Sequence, residues 1–231
     1  MPESQELEGK FACREEDLNQ LLALTRIGEF RLVQRDERTQ TDTYFDTASL
    51  DLRSQSCSLR KRSIGDEVKA TFKGPRQSVD NAEDASHLVK RLEIEVSVVP
   101  PPADEKSFLD RTDLEPVSRA QEMLESTGQL DPIARIVTHR RMLNYARSES
   151  ESVELSLDNV QALDLRTNRR THIIEVELEL IDGTDETLVS AATSLRQAIP
   201  SLRPTSESKL ARTLGEHPES KTSSRKITTA R

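Results

Sequence analysis

Glu6-Leu7-Glu8-Gly9-Lys10 places two carboxylates and an ammonium at alternate positions near the start of the chain. In a β-strand, side chains alternate between faces, so Glu6, Glu8 and Lys10 would share one face. Like charges at that separation repel unless a cation lies between them, and Mg²⁺ or Mn²⁺ prefers such oxygen ligands. A face that combines a metal with a lysine suits a polyphosphate. On its own, the spacing is more typical of a solvated surface.

The same alternation recurs on most segments with strand character, where a charged row lies opposite an apolar row. The charged rows hold the acids Glu6, Glu8, Glu93, Glu95, Asp158, Glu175 and Glu177 and the bases Lys10, Arg60, Arg62, Lys69, Lys73, Arg91 and Arg141. Arginine makes planar bidentate contacts with phosphate, and paired glutamates offer hard oxygen ligands to divalent cations. If a barrel closes around these rows, its interior is a tunnel for a metal-bound polyphosphate. The competing interpretation is a β-sandwich whose charged rows face water.

The hydrophobic periodicity predicts about eight strands and a few helices. Strand patterns cover the N-terminal motif, 30–45, 58–64, 67–73, 91–98, 135–145, 153–158 and 172–181, and helical patterns cover 14–26, 107–126, 184–199 and 206–214. The predicted fold class is therefore α+β, mainly β: a closed eight-stranded antiparallel barrel with peripheral helices. The predicted boundaries are one domain over 1–216, with a helical insertion at 103–134, and a disordered tail over 217–231.

The composition excludes several classes of protein. The 231 residues carry a net charge of −8, which argues against a general nucleic-acid binder. With two cysteines and four scattered histidines, neither a disulfide framework nor a zinc site is indicated. No apolar run is long enough for a membrane span or a signal peptide, and the mean hydropathy is −0.65. A soluble cytoplasmic protein is expected.

Taken in order, the charged motifs resemble those of the CYTH superfamily, also called triphosphate tunnel metalloenzymes. They are Glu6-x-Glu8-x-Lys10, Asp42-x-Tyr44-Phe45-Asp46-Thr47, Leu59-Arg60-x-Arg62, Thr71-Phe72-Lys73-Gly74-Pro75, Glu93-x-Glu95, Arg141 with Tyr145, Leu157-Asp158, Glu175-x-Glu177 and Ser208-Lys209. They follow the family order over roughly residues 5–214, and the strength of the match lies in the whole set.

The resemblance implies an eight-stranded tunnel that binds a small-molecule triphosphate with Mg²⁺ or Mn²⁺ as cofactor. The implied metal ligands, direct or through water, are Glu6, Glu8, Asp158, Glu175 and Glu177. The implied phosphate-binding residues are Lys10, Arg60, Arg62, Lys73, Arg141 and Lys209. Glu175, Glu177 and Lys10 would form the catalytic set, with one metal bridging phosphates and a second activating a water that attacks the terminal phosphorus.

The family includes inorganic triphosphatases, thiamine-triphosphatases, RNA triphosphatases and one class of adenylate cyclases. A thiamine or adenine ring would need an aromatic or apolar pocket, and this chain has no Trp and only two Tyr. Inorganic triphosphate is therefore the favoured substrate. The alternatives are an adenylate cyclase, a thiamine-triphosphatase and a non-catalytic module that binds polyphosphate or a nucleotide. The sequence does not predict the oligomeric state.

Overall fold

A computed structural model describes residues 4–77, 88–124 and 128–215. Ten strands follow in chain order: β1 (Ser4–Ala12), β2 (Arg26–Ile27), β3 (Phe30–Asp46), β4 (Ser58–Ile64), β5 (Glu67–Gln77), β6 (Leu88–Ser97), β7 (Asp131–Ser148), β8 (Glu151–Asp164), β9 (Arg169–Asp182) and β10 (Arg203–Pro204). Six helices accompany them: α1 (Asp17–Ala23), α2 (Asp51–Ser54), α3 (Glu105–Leu109), α4 (Glu115–Glu122), α5 (Asp185–Ala198) and α6 (Lys209–Leu214).

The eight long strands close into one antiparallel barrel. Their order around the barrel is β1-β6-β5-β4-β3-β7-β8-β9, and β9 pairs with β1 to complete the circle. The two short strands extend this sheet, β2 on β3 and β10 on β1. The predicted closed eight-stranded antiparallel barrel with peripheral helices is confirmed. Within the described ranges, no helix is long and apolar enough to cross a membrane.

Apolar side chains pack outside the barrel, beneath the helices. One cluster lies under α1 and α5 and includes Phe11, Phe30 and Tyr145. A second lies under α3 and α4 and includes Phe72 and Phe108. Because side chains alternate along a strand, rows that present apolar groups to these helices turn their charged partners into the barrel. The arrangement reverses the usual one, in which the inside of a small barrel is apolar.

The segment 107–126 forms two helices instead of the single helix that its periodicity predicts. Asp104 begins α3, because its carboxylate accepts a hydrogen bond of 2.7 Å from the Ser107 backbone N–H. Pro116 stands in the first turn of α4, where its missing N–H costs nothing but its ring prevents continuation from an earlier helix. Both helices lie within the predicted insertion. The predicted tail over 217–231 lies outside the described residues.

Candidate active site

The inner wall of the barrel encloses a cavity of about 560 Å³. The basic side chains that line it are Lys10, Arg38, Arg53, Arg60, Arg62, Lys73, Arg91, Arg140 and Lys209, and the acidic ones are Glu6, Glu8, Asp42, Glu93, Glu95, Glu154, Glu177 and Glu179. Nine bases face eight acids, so the cavity charges nearly cancel. Charge that is removed from bulk water must be paired or bound, and the barrel pairs most of it internally.

Asp158, Glu175 and Glu177 form a buried acidic cluster at the cavity wall. Asp158 on β8 is directly opposite Glu175 on β9 in the strand register, and Glu177 follows two positions later on the same face. One carboxylate oxygen from each lies within 4.8 Å of the others, and all three residues are buried. The ammonium of Lys209 lies among them, 2.8 Å from Asp158 Oδ2, 2.7 Å from Glu175 Oε1 and 2.8 Å from Glu177 Oε1. A protein cation therefore occupies the centre of this cluster.

Helix α6 holds Lys209 in that position. The Ser208 hydroxyl accepts a hydrogen bond of 3.1 Å from the Ala211 N–H and begins the helix. At the other end, the Arg53 guanidinium donates to the Gly215 carbonyl at 2.7 Å, and Arg169 donates to the Thr213 carbonyl. Cations at a helix C-terminus also interact favourably with the helix dipole. These contacts anchor the short helix at both ends.

Strand β1 brings the N-terminal motif to the same cavity. The ammonium of Lys10 lies 3.1 Å from Glu8 Oε2 and 2.5 Å from Glu177 Oε1, so it bridges β1 and β9. Glu6 accepts hydrogen bonds from Lys73 at 2.5 Å and from Arg91 at 3.1 Å. Although burial opposes its charge, the Glu177 and Glu8 carboxylates raise the pKa of Lys10 above its ordinary value.

The pKa values of the three clustered carboxylates are shifted in different directions. Burial opposes the charge of Glu177, but Lys10, Lys209 and Arg140 outweigh it and hold the pKa of Glu177 well below its usual range. The pKa of Asp158 is likewise lowered, since Lys209 and Arg140 overcome the effect of burial. At Glu175, burial dominates and raises the pKa despite the nearby Lys209. Glu175 is therefore the carboxylate of the cluster that most readily accepts a proton.

The opposite wall carries arginines that pair with Asp42 of β3. Arg62 makes a bidentate contact with Asp42, with Nε to Oδ1 at 2.7 Å and Nη2 to Oδ2 at 3.0 Å. Arg60 is buried, and its nearest carboxylate oxygens are 3.7 to 3.9 Å away on Glu95, Glu93 and Asp42. The Nε of Arg60 is buried without a hydrogen-bond partner among the described residues. An unfilled buried donor suits an anionic ligand.

A comparison with family models matches residues 4–214 to the CYTH domain. The chain belongs to the CYTH family. A comparison with curated proteins finds no match.

Solved structures with this CYTH fold come from several organisms. An adenylate cyclase-like protein from Bacillus halodurans gives a TM-score of 0.65 at 20% identity, covering 93% of this chain and 100% of that one. HpAC1 from Hippeastrum, described as an adenylyl cyclase-like protein with a dominant triphosphatase activity, gives a TM-score of 0.60 at 17% identity. The match covers 92% of this chain and 98% of that one. PH1819 from Pyrococcus horikoshii OT3 gives a TM-score of 0.52 at 19% identity, and the match covers 90% of this chain and 98% of that one. At these identities the likeness establishes the fold alone.

The structure of this CYTH domain corrects one position in the sequence-based site. Arg140 lines the cavity, with Nε 2.8 Å from Asp158 Oδ1 and Nη2 2.6 Å from Asp158 Oδ2, whereas Arg141 does not line it. In the strand register Arg141 is opposite Leu157, which belongs to the outer core. Tyr145 shares the parity of Arg141 and is also in the outer core. That parity was the available signal that Arg141 lies on the outer face.

The remaining predicted site residues line the cavity or contact a residue that does. Those that line it are Glu6, Glu8, Lys10, Arg60, Arg62, Lys73, Glu177 and Lys209, while Asp158 and Glu175 contact Lys209. Other charged residues outside the predicted set also line the cavity, among them Arg38, Arg91 and Glu179. Arg38 and Asp42 are four positions apart on β3 and so share a face. The alternation of side chains along the strand before Asp42 would therefore have predicted that Arg38 faces the cavity.

Proposed function

We propose that this CYTH domain hydrolyses a triphosphate with Mg²⁺ or Mn²⁺, and that inorganic triphosphate is its substrate. The observation that carries the proposal is a closed tunnel in which three clustered carboxylates, Asp158, Glu175 and Glu177, lie next to basic side chains on neighbouring strands. The carboxylates suit a hard cation and the bases suit phosphate oxygens. Both are required to bind a metal-bound triphosphate.

The charge balance of the cavity supports the metal dependence. A triphosphate carries several negative charges, and the nine basic residues that line the cavity are already offset by eight acidic ones. Cations that enter with the substrate would restore the balance. Asp158, Glu175 and Glu177 would hold the ion, with Glu6 and Glu8 reaching the same cavity from β1. Bound there, Mg²⁺ or Mn²⁺ would neutralise phosphoryl charge and lower the pKa of a coordinated water.

The side chains of the tunnel would have distinct tasks in the reaction. Arg60, Arg62, Lys73, Arg140 and Lys209 would bind the nonbridging oxygens and align the chain of phosphates. Lys10 would contact the terminal phosphoryl group while Glu177, which stays ionised, holds its ammonium in place. The oxygen of a water forms a bond to the terminal phosphorus as the phosphoanhydride bond breaks, which releases orthophosphate and the shortened phosphate. Glu175 would take the proton of that water.

The lining of the cavity favours a substrate without a large ring. Tyr44 is the one aromatic side chain among the described residues that line it, so a thiamine or adenine ring would find little stacking surface. The dominant triphosphatase activity of HpAC1 supports hydrolysis over cyclisation. A cytoplasmic location and the lack of general nucleic-acid binding stay predictions from the sequence.

The deciding experiment measures phosphate release from inorganic triphosphate, ATP and thiamine triphosphate with Mg²⁺, with Mn²⁺ and with chelator. We expect metal-dependent release that is fastest with inorganic triphosphate and is lost in Glu175→Gln. Glu105→Gln is the matched control, because Glu105 pairs with Lys61 outside the cavity, and it should release phosphate at the wild-type rate. Cyclic AMP from ATP would indicate a cyclase, and binding without turnover would indicate a sensor. If the protein neither releases phosphate nor binds any of these triphosphates, the tunnel hypothesis is contradicted.

A further inference from the structure

Arg38 differs from the other bases of the tunnel in its surroundings. It lies on the inner face of β3 and is half-buried, and its Nε donates a hydrogen bond of 3.2 Å to Gln40 Oε1. Gln40 is buried in turn, and its Nε2 lies 3.5 Å from Asp42 Oδ2. The guanidinium of Arg38 forms no ion pair with a carboxylate of residues 4–77, 88–124 or 128–215. Its one hydrogen-bonding partner in these ranges is a neutral amide.

The other cavity bases are engaged by carboxylates or by a backbone carbonyl. Those in ion pairs are Lys10, Arg60, Arg62, Lys73, Arg91, Arg140 and Lys209. Arg53 donates to the Gly215 carbonyl, where it anchors α6. To bind a phosphate, each paired base must exchange a carboxylate for the new anion, which reduces the net gain. Arg38 has no such partner to give up in the part of the chain that the structure describes.

The charge of Arg38 is also electrostatically unfavourable as it stands. Burial, followed by repulsion from Arg140 and Arg62, lowers the pKa of the Arg38 guanidinium below its ordinary value, and attraction from the Glu154 and Asp158 carboxylates offsets only part of this. Two further positive groups therefore act on the same part of the cavity. Phosphate oxygens placed among Arg38, Arg62 and Arg140 would relieve this repulsion. The Gln40 amide, fixed by burial, would hold the guanidinium in one orientation.

We propose that Arg38 is a substrate-binding residue that, with Arg62 and Arg140, forms a phosphoryl subsite on the β3 side of the tunnel. The ligand class is an inorganic polyphosphate or the polyphosphate part of a larger anion. The identity of that ligand as a reaction substrate rests on the proposed function, whereas the anion-binding role does not. Because Arg38 pairs with no carboxylate among the described residues, it contributes more to affinity than the bases in ion pairs do.

The test measures binding of inorganic triphosphate by calorimetry in chelator, where no turnover occurs. Arg38→Gln should weaken binding at least tenfold, and Arg38→Lys should recover part of the loss because it keeps the charge but not the planar donors. Arg35→Gln is the matched control, because Arg35 is exposed on the outer face of the same strand, and it should bind within twofold of wild type. Urea unfolding of the ligand-free protein is the second readout. Arg38→Gln should unfold at an equal or higher urea concentration, since it removes repulsion.

Each outcome decides for or against the subsite. Weaker binding together with retained stability supports it. Unchanged affinity in Arg38→Gln overturns it, and so does a loss of affinity that comes with an equal loss of stability, which would mark a structural arginine. If Arg38 variants lose binding but the wild type releases no phosphate, the subsite stands and the hydrolase proposal fails. If the wild type releases phosphate while Arg38→Gln binds triphosphate normally, the hydrolase proposal stands and the subsite fails. A wild type that binds no triphosphate in chelator overturns the subsite, whereas the hydrolase proposal is decided by metal-dependent phosphate release.

Discussion

Two walls of the tunnel differ in whether their charged side chains are paired with one another. The paired wall consists of Asp158, Glu175 and Glu177 with the cations Lys10, Arg140 and Lys209, all buried and joined by ion pairs. The open wall consists of Arg38 and Gln40 on β3, where a guanidinium meets only a neutral amide among the described residues. The two walls face the same cavity and differ in whether the protein itself neutralises the charge.

Because of this difference, the paired wall should contribute mainly to the stability of the fold and the open wall mainly to the binding of an anion. On the paired wall, the internal ion pairs compensate for desolvation, and a ligand must displace one partner before it can bind the other. Lys209 shows this directly, since its ammonium fills the space between three carboxylates that a divalent cation would also fill. On the open wall, the repulsion costs stability in the ligand-free protein and is relieved when an anion arrives. Substitutions on the two walls should therefore have different consequences.

The largest expected effect is on the paired wall, at Glu177. Its carboxylate contacts Lys10, Arg140 and Lys209 at once. Glu177→Gln keeps the shape but removes the charge that three buried cations share, so we expect a loss of about 3 kcal/mol in the free energy of unfolding. Urea denaturation of the ligand-free protein measures it. Glu154→Gln is the control, because Glu154 lines the same cavity and accepts a hydrogen bond from Ser156, and it should cost less than about 1 kcal/mol. Equal losses in the free energy of unfolding of the two variants would show that the ion pairs of the paired wall add no particular stability.

A second prediction concerns Glu179, an acid on β9 that lines the cavity. Burial, followed by repulsion from Glu6 and Glu8, raises the pKa of Glu179 to about 8. The folded protein therefore keeps a proton that the unfolded chain loses near pH 4.5. The unfolded state binds fewer protons between these pH values, so this stabilising contribution is complete below pH 4.5 and is lost as the pH rises to about 8.

Glu179→Gln should remove that pH dependence because the amide does not titrate. In chelator, the variant should be more stable than wild type at alkaline pH by on the order of 2 kcal/mol, since water in the cavity screens part of the full shift. Near the pKa of the unfolded carboxyl, the two proteins should unfold at similar urea concentrations. A stability difference that is the same at both pH values would contradict the raised pKa.

A third prediction tests whether Lys209 competes with a metal. In Lys209→Met, the three carboxylates lose their internal cation, so we expect Mn²⁺ to bind about tenfold more tightly, a change of about 1.4 kcal/mol. Calorimetric titration of the substrate-free protein with Mn²⁺ measures this without turnover. Lys61→Met is the matched control, because Lys61 pairs with Glu105 outside the cavity, and it should change the affinity no more than about twofold. Unchanged or weaker Mn²⁺ binding in Lys209→Met would show that the ammonium does not occupy the metal position.

Local sequence patterns predict much of this fold. The turn at Gly65-Asp66 predicts the hairpin of β4 and β5, whose strands begin and end within a few residues of expectation. Alternation on β1 predicts that Glu6, Glu8 and Lys10 share a face, and all three line the cavity. That these rows point inward follows from the apolar rows, which the outer helices cover. Fold class and the facing of most charged rows are thus encoded locally.

The pairing of charges across the tunnel could not be predicted in the same way. Lys10 and Glu177 are 167 positions apart in sequence, and only barrel closure brings β1 beside β9. The contact of Lys209 with three carboxylates likewise depends on where α6 docks. Where two candidates adjoin, as at Arg140 and Arg141, a shift of one residue exchanges the two faces, so parity decides between them only through a neighbour of known facing such as Tyr145. Sequence patterns therefore identify rows more reliably than they identify partners.

The smallest expected effect tests that shift of one residue. Arg141 is opposite Leu157 on the outer face, and its Nε is buried without a hydrogen-bond partner among the described residues. Arg141→Gln removes no contact with the cavity, so triphosphate affinity in chelator should stay within about twofold of wild type. Arg140→Gln is its neighbour and contrast, because it leaves Asp158 and Glu177 short of a cation beside the substrate, and it should weaken binding at least tenfold. Circular dichroism would establish that both variants are folded. If Arg141→Gln lost the binding instead, the register of β7 would be wrong by one residue, and the two walls would have to be redrawn from that strand outward.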